Sequence, residues 1–215
     1  MKTAPFIALL LAIPALVRGA DNAGEWKEAK TGDGIVVSTR DVPGWDMKEF
    51  RAVMRVEAPL GSIVALMQDV DAYPQWFADC REARILKVLG PQERYVCFVN
   101  ATPFPVQDRE IVSHDTFEQD PATGAVTMRL HGEPGLIPPT SGRVRVPRLE
   151  GAWTFTPLAG GGVEVAYQVR SDPGGSLPSW LANATVSKAP WRTLSGLRRM
   201  LAEGKYQGAR PRWLR

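Results

Sequence analysis

Two histidines and two cysteines bound the nucleophilic and metal chemistry open to this 215-residue chain. His114 and His131 are separated from each other, and Cys80 and Cys97 share no metal-ligand spacing with them, so no zinc-type framework is present. The chain holds no Gly-x-Ser-x-Gly elbow, no His-Glu-x-x-His pair and no phosphate loop. His131 alternates onto a face with Thr127 and Arg129 and reads as a surface residue. His114 shares one face with Val112, while Ile111 and Phe117 share the other, which leaves its side open. An enzyme of cyclase or hydrolase type, acting on a hydrophobic or aromatic substrate, would draw its acid or base from His114, Asp115 or Arg109. Neither a catalytic residue nor a metal or cofactor is expected, and the chain reads as a binding protein rather than an enzyme.

The elements that position these residues follow from hydrophobic periodicity. Residues 35–40 read as a strand, and Phe50, Ala52, Met54 and Val56 then alternate with Arg51, Val53, Arg55 and Glu57, the pattern of a half-buried antiparallel strand. Pro59 opens a helix in which Ile63, Leu66, Met67 and Val70 share a face, followed by a short turn or small helix over 71–77. Strands are predicted over 85–89, 95–100, 109–117, 125–131, 142–146, 152–156 and 163–170. Val126, Met128 and Leu130 form one face, and Val163, Val165, Tyr167 and Val169 another. After Asp172-Pro173-Gly174-Gly175 the period changes. Leu177, Trp180, Leu181, Ala184, Trp191, Leu194, Leu197 and Leu201 describe a long amphipathic helix that Pro190 kinks or interrupts. Its apolar stripe needs a partner, and the dry face of the sheet is the large candidate. The fold class is α+β, a curved antiparallel sheet wrapped around a C-terminal helix.

Residues 1–20 have the layout of a secretory signal peptide: Lys2, an apolar run from Phe6 to Val17, then Gly19 and Ala20 before Asp21. The run is shorter than the roughly 20 apolar residues of a membrane span, although an uncleaved anchor is the other reading. Periplasmic or secreted localisation is expected. The whole chain carries 26 basic and 23 acidic residues, a net charge of +3. The leader holds Lys2 and Arg18 and no acid, so the remainder carries +1, which speaks against nucleic-acid binding. Basic residues gather from Lys188 onward, either as a patch facing anionic lipid or as the solvated side of a helix plus a basic tail over 209–215. Export would place Cys80 and Cys97 in an oxidising compartment. A hairpin closed by Gly90-Pro91-Gln92-Glu93 sets Cys97 across from about Leu86, with Cys80 roughly 20 Å further on. A disulfide spans at most about 7 Å between Cα atoms, so none is expected unless the chain bends back near Cys80.

The string Pro103-Phe104-Pro105-Val106-Gln107-Asp108-Arg109-Glu110-Ile111-Val112 resembles the P-[FW]-P-[VIL]-x-x-R-[DE]-x-V signature of START-type (StAR-related lipid-transfer) domains. Further landmarks occur in the family's order: Asp69 through Trp76, Gly151-Ala152-Trp153, and the stretch from Asp172 to Asn183. The resemblance covers most of residues 25–205 and has a bacterial, secreted character. It implies a helix-grip fold over 21–208, with an internal hydrophobic tunnel for one ligand; known members carry sterols, phospholipids, ceramides and other greasy molecules. The implied function is lipid transfer or sensing by a monomer.

In that family the arginine matching Arg109 sits near the tunnel, where its guanidinium could orient a ligand carboxylate or phosphate. The other reading is a salt bridge to Asp69 or Asp108 that pins strand to helix. Ligand-binding candidates are Arg109, Trp76, Phe104, Met128, Trp153, Tyr167 and Trp191, with Phe155 and Trp180 as further aromatic wall candidates; ordinary core packing is the alternative for each aromatic. The long loop 132–142 exposes Leu136 and Ile137 at its middle. It could gate the tunnel or touch a membrane, as could the basic C-terminus, or it could be a plain ordered loop.

Overall fold

The computed structural model describes residues 23–215; the proposed leader lies outside them. Among these described residues ten strands form: β1 Lys27–Gly32, β2 Ile35–Arg40, β3 Glu49–Val56, β4 Cys80–Gly90, β5 Glu93–Asn100, β6 Arg109–Gln119, β7 Val126–Gly132, β8 Val144–Arg145, β9 Arg148–Pro157 and β10 Val163–Asp172. Between β3 and β4 lie α1 Leu60–Gln68, a 3-10 turn Val70–Ala72 and α2 Tyr73–Trp76, and after β10 comes α3 Ser179–Ala202. The sheet runs β1-β2-β3-β10-β9-β7-β6-β5-β4, antiparallel throughout, with the two-residue β8 added parallel to β6.

Period-two alternation carries side chains of successive strands into rows across the inner face. One row runs Phe117, Met128, Trp153, Tyr167, Ala52 and Val37. The next runs Val126, Phe155, Val165, Met54 and Ile35. Helix α3 lies over this face, burying Val186, Pro190, Thr193, Leu194, Leu197 and Met200. Pro190 leaves α3 continuous from Ser179 to Ala202, so the helix is not interrupted. Gly196 lets α3 meet α2 backbone to backbone: a Cβ there would stand 2.2 Å from the Trp76 carbonyl oxygen.

Three features depart from the sequence expectation. β1 was not anticipated, because an edge strand with one partner has no apolar alternation to show, and its Lys, Glu and Thr residues suit a solvated edge. β4 begins at Cys80, and its bulges move the register so that Cys97 faces Arg84 rather than Leu86, while Cys80 faces Asn100. Both thiols are buried and free.

The third departure is the C-terminus, which is part of the domain rather than a basic tail. Lys205 Nζ and the Tyr206 hydroxyl each donate to Asp69 Oδ2 at 2.7 Å. Trp213 lies 5.9 Å from the Phe117 ring, Leu214 is buried, and the Arg215 backbone N–H donates to Gln119 Oε1. At Gly61 a Cβ would stand 2.4 Å from the Ala209 carbonyl oxygen, so the tail lies directly on α1.

Candidate ligand-binding cavity

At one end of the grip the sheet and the N-terminal half of α3 do not close on each other. They leave a cavity of about 320 Å³, at the small end of the ~300–1,000 Å³ common for ligand sites. Its wall comes from β3, β5, β6, β9 and β10, through Phe50, Phe98, Ile111, Leu149, Tyr167 and Val169. Phe77 closes it from beside α2, and Leu177, Trp180, Leu181, Ala184 and Ala189 cover it from α3 and the segment leading into it.

The inner end is an aromatic stack. Tyr167 lies against Trp153 with ring centroids 3.8 Å apart and planes 11° apart, and Phe50 meets Tyr167 edge-on at 5.1 Å. Phe77 stands 5.7 Å from Phe98 and 6.1 Å from Tyr167. Burial holds the Tyr167 phenol well above its ordinary pKa, so it stays neutral.

Polar groups in the wall are few. Arg109, at the start of β6, donates from Nη1 to the Gln107 carbonyl (2.6 Å) and from Nη2 to the carbonyls of Gly174 (3.2 Å) and Ser176 (3.4 Å). It thereby ties β6 to the segment before α3. Burial lowers its pKa, yet a guanidinium remains charged at any working pH. Among the described residues its Nε–H is buried without an acceptor. Asn100 faces Arg109 across the β5–β6 ladder, and its Oδ1 is also buried without a donor. At the mouth Asp79 is paired with Arg192, and Thr193 Oγ1 accepts the Ala78 N–H at 3.1 Å.

Of the residues singled out in the sequence, Arg109 and Tyr167 line the cavity, as does Trp180 at its rim. Neither Asp69 nor Asp108 pairs with Arg109: Asp69 is held by Lys205 and Tyr206, and Asp108 by Arg81 at 2.7 Å. Trp153 lies behind Tyr167, Trp76 behind Trp153 and Phe77, and Met128 beside Trp153 in the core; none of these three reaches the cavity wall. Trp191 turns toward the sheet edge, where its Nε1–H donates to the Gly32 carbonyl under Lys30. Phe104 is 97% exposed at the turn between β5 and β6, and its neighbour Pro103 lines the cavity instead.

The loop 132–142 does not border the cavity. Arg145 clamps it, donating to the carbonyls of Pro134, Ile137 and Pro138 and to Glu110 Oε2 at 2.6 Å, while Thr140 donates to Glu110 through its hydroxyl and N–H. Burial alone would raise the Glu110 carboxyl, but Thr140 and Arg145 outweigh it and hold the pKa down. This is an ordered surface loop. Two of the three acid–base candidates lie elsewhere: His114 Nε2 is 2.8 Å from Glu93 Oε1 with its ring stacked on Tyr95, and Asp115 is buried with Arg94 and Ser113; the third, Arg109, lines the cavity.

Sequence reasoning missed Asn100. The signal was available, since Val96 and Phe98 set the inward phase of β5 and Asn100 continues it. Among the described residues no cluster of three or more His, Cys, Asp or Glu side chains could hold a metal ion.

The sequence profile of the START domain family matches residues 16–210. A STAR-related lipid transfer protein of Xanthomonas axonopodis is similar at 41% identity, with the match covering 82% of this chain and 98% of that fragment at a TM-score of 0.76. Human StAR-related lipid transfer protein 5 shares the fold at 16% identity, covering 83% and 86% of the two chains with a TM-score of 0.71. An uncharacterized protein of Pseudomonas aeruginosa is 41% identical over 182 residues, 85% of this chain and 89% of its own.

Proposed function

This chain belongs to the START domain family, and from that premise we propose that it is an exported carrier or sensor holding one hydrophobic molecule in the cavity under α3. The observation that carries the reading is the apolar enclosure between Phe50, Phe98, Ile111, Tyr167 and Leu181, lined by aromatic and aliphatic side chains with few polar groups. Each buried methylene of a ligand contributes ~0.8 kcal/mol by leaving water. Export rests on the layout of residues 1–20.

Entry and release would use the N-terminal half of α3. The bonds that fasten this helix to the rest of the molecule cluster between Trp191 and Arg199: Trp191 to Gly32, Arg192 to Asp79, Thr193 to Ala78, Arg198 to Asp33 and Arg199 to Gln75. Ahead of them, Thr185 and Ser187 bond only back into the helix itself. Pro190 stands at the boundary and lacks the N–H that would tie the two halves. Binding rather than catalysis is favoured because His114 and Asp115 are engaged away from the cavity and Asp79 is paired at its mouth.

Native mass spectrometry of the purified protein, followed by lipid extraction, tests this. A hydrophobic molecule bound one to one is the expected result. Failure to find or load any such molecule from several lipid mixtures would refute the reading.

A further inference from the structure

Arg109 is 6% exposed, yet no acidic side chain among the described residues pairs with it. The nearby carboxylates are otherwise engaged: Asp108 by Arg81, Asp79 by Arg192, and Asp172 by the Gly174 N–H at 3.0 Å. Three carbonyls accept from Nη1 and Nη2, but they bring partial charge only. Buried charges in proteins are paired as a rule, and buried polar atoms are hydrogen-bonded. This cavity breaks both rules at one spot, with a guanidinium lacking a counter-charge and with Arg109 Nε and Asn100 Oδ1 lacking partners on registered neighbours.

The chemistry of the missing partner follows. It brings one negative charge and at least two acceptor positions, to meet the Nε–H and, once its amide is turned about the Cβ–Cγ bond, the Asn100 Nδ2–H. A carboxylate does this. A hydroxyl could accept from Arg109 and donate to Asn100 but would leave the charge uncompensated, and an ester supplies neither the charge nor the donor. The volume of about 320 Å³ suits one chain or one small ring system rather than two full acyl chains. Building on the proposed binding function, we infer that the ligand is a single-chain amphiphile with a carboxylate head, held inside the cavity by Arg109 and Asn100 with its tail against Phe77, Phe98 and Tyr167.

The test compares four probes of equal chain length on the delipidated protein: hexadecanoic acid, hexadecanol, methyl hexadecanoate and a hexadecanoyl lysophosphatidylcholine. The acid is expected to bind at least about tenfold tighter than the methyl ester, as a charge-assisted pair requires. Titrated by NMR with a 13C-labelled carboxyl, the bound acid should stay ionised below the pH at which the same acid protonates in detergent. Asn100→Asp, which supplies a resident carboxylate beside Arg109, should erase the preference for acid over ester. Arg109→Met should do the same, but it also releases Gly174 and Ser176, so Asn100→Asp and the wild-type titration are the decisive arms. Equal binding of acid and ester, tightest binding of the alcohol or the lysophospholipid, or a bound carboxyl that protonates no lower than the free one would each overturn the inference. If none of the four binds while another hydrophobic molecule co-purifies, the carboxylate inference falls and the cavity reading stands. If nothing hydrophobic binds at all, both fall.

Discussion

Trp153 is the residue whose loss should most clearly separate the floor of the cavity from the core beneath it. It is fully buried, stacked on Tyr167 at 3.8 Å and edge-on to Trp76 at 6.1 Å. Replacing it with alanine removes the indole while Tyr167 stays anchored in β10 between β3 and β9. Truncation of a buried tryptophan costs about 3–5 kcal/mol, and the lost stack accounts for ~0.5–1.5 of that. Domains are commonly stable by ~5–15 kcal/mol, so the variant remains folded at the upper end of that range. With a urea m-value of about 2–3 kcal/mol/M, the midpoint should fall by roughly 1–2.5 M. The void opens directly behind the cavity floor, so the variant should favour longer ligands, each added methylene tightening binding by up to ~0.8 kcal/mol, about fourfold, until the void is filled. Urea unfolding with and without a homologous series of single-chain ligands measures both effects. A midpoint shift below about 0.3 M, or an unchanged chain-length optimum, would refute the placement of Trp153 as the layer behind the cavity.

Four further outcomes are expected. Arg94 donates to the Met67 and Gln68 carbonyls and the Tyr73 hydroxyl besides facing Asp115, so Arg94→Met should cost about 3–5 kcal/mol in chemical denaturation. Asp115→Asn should cost less, because Arg94 keeps its other acceptors, and the double variant should recover part of the loss. Deleting residues 205–215 uncovers Phe117 and removes Leu214 and the Asp69 contacts, a loss of at least ~3 kcal/mol that should lower the Tm by roughly 6–12 °C. Partial burial pushes the Asp69 carboxyl up, but Lys205 and Tyr206 more than offset it, so its folded pKa lies below its unfolded value. The stability this gives is full above the unfolded pKa and is lost as pH falls through the folded one, so the gap between wild type and Asp69→Asn should close below about pH 4. Finally, Glu110→Gln should speed hydrogen exchange across 132–142 without changing ligand affinity; a loss of affinity would contradict the separation of that loop from the cavity.

Period two made β3, β7 and β10 legible, and the change of period after Asp172 made α3 legible, because each buries one face and shows it in the residue pattern. The solvated edge β1 buries too little to leave that mark. The hollow interior came only from the family resemblance, since apolar residues that line a cavity and those that fill a core share the same alternation. That is why Trp153 and Met128 were candidates alongside Tyr167: all three occupy one inward row, and alternation reports the face but not the depth behind it. Phe104 shows the converse, a large aromatic in the family's signature string whose turn carries it out into solvent. The fold of the tail onto α1 had a weaker signal, the three apolar residues Tyr206, Trp213 and Leu214 set among basic ones.

The central claim is that one hydrophobic molecule occupies the space under the N-terminal half of α3. Methyl NMR on isotope-labelled protein, titrated with the lipid that co-purifies, tests it residue by residue. The account predicts shifts and ligand contacts at Ile111, Leu149, Val169 and Leu181, with little change at Ile35, Val126 and Leu197 in the packed core. Contacts centred on Leu136 and Ile137, or shifts confined to the outer face at Ile85 and Val88, would contradict it.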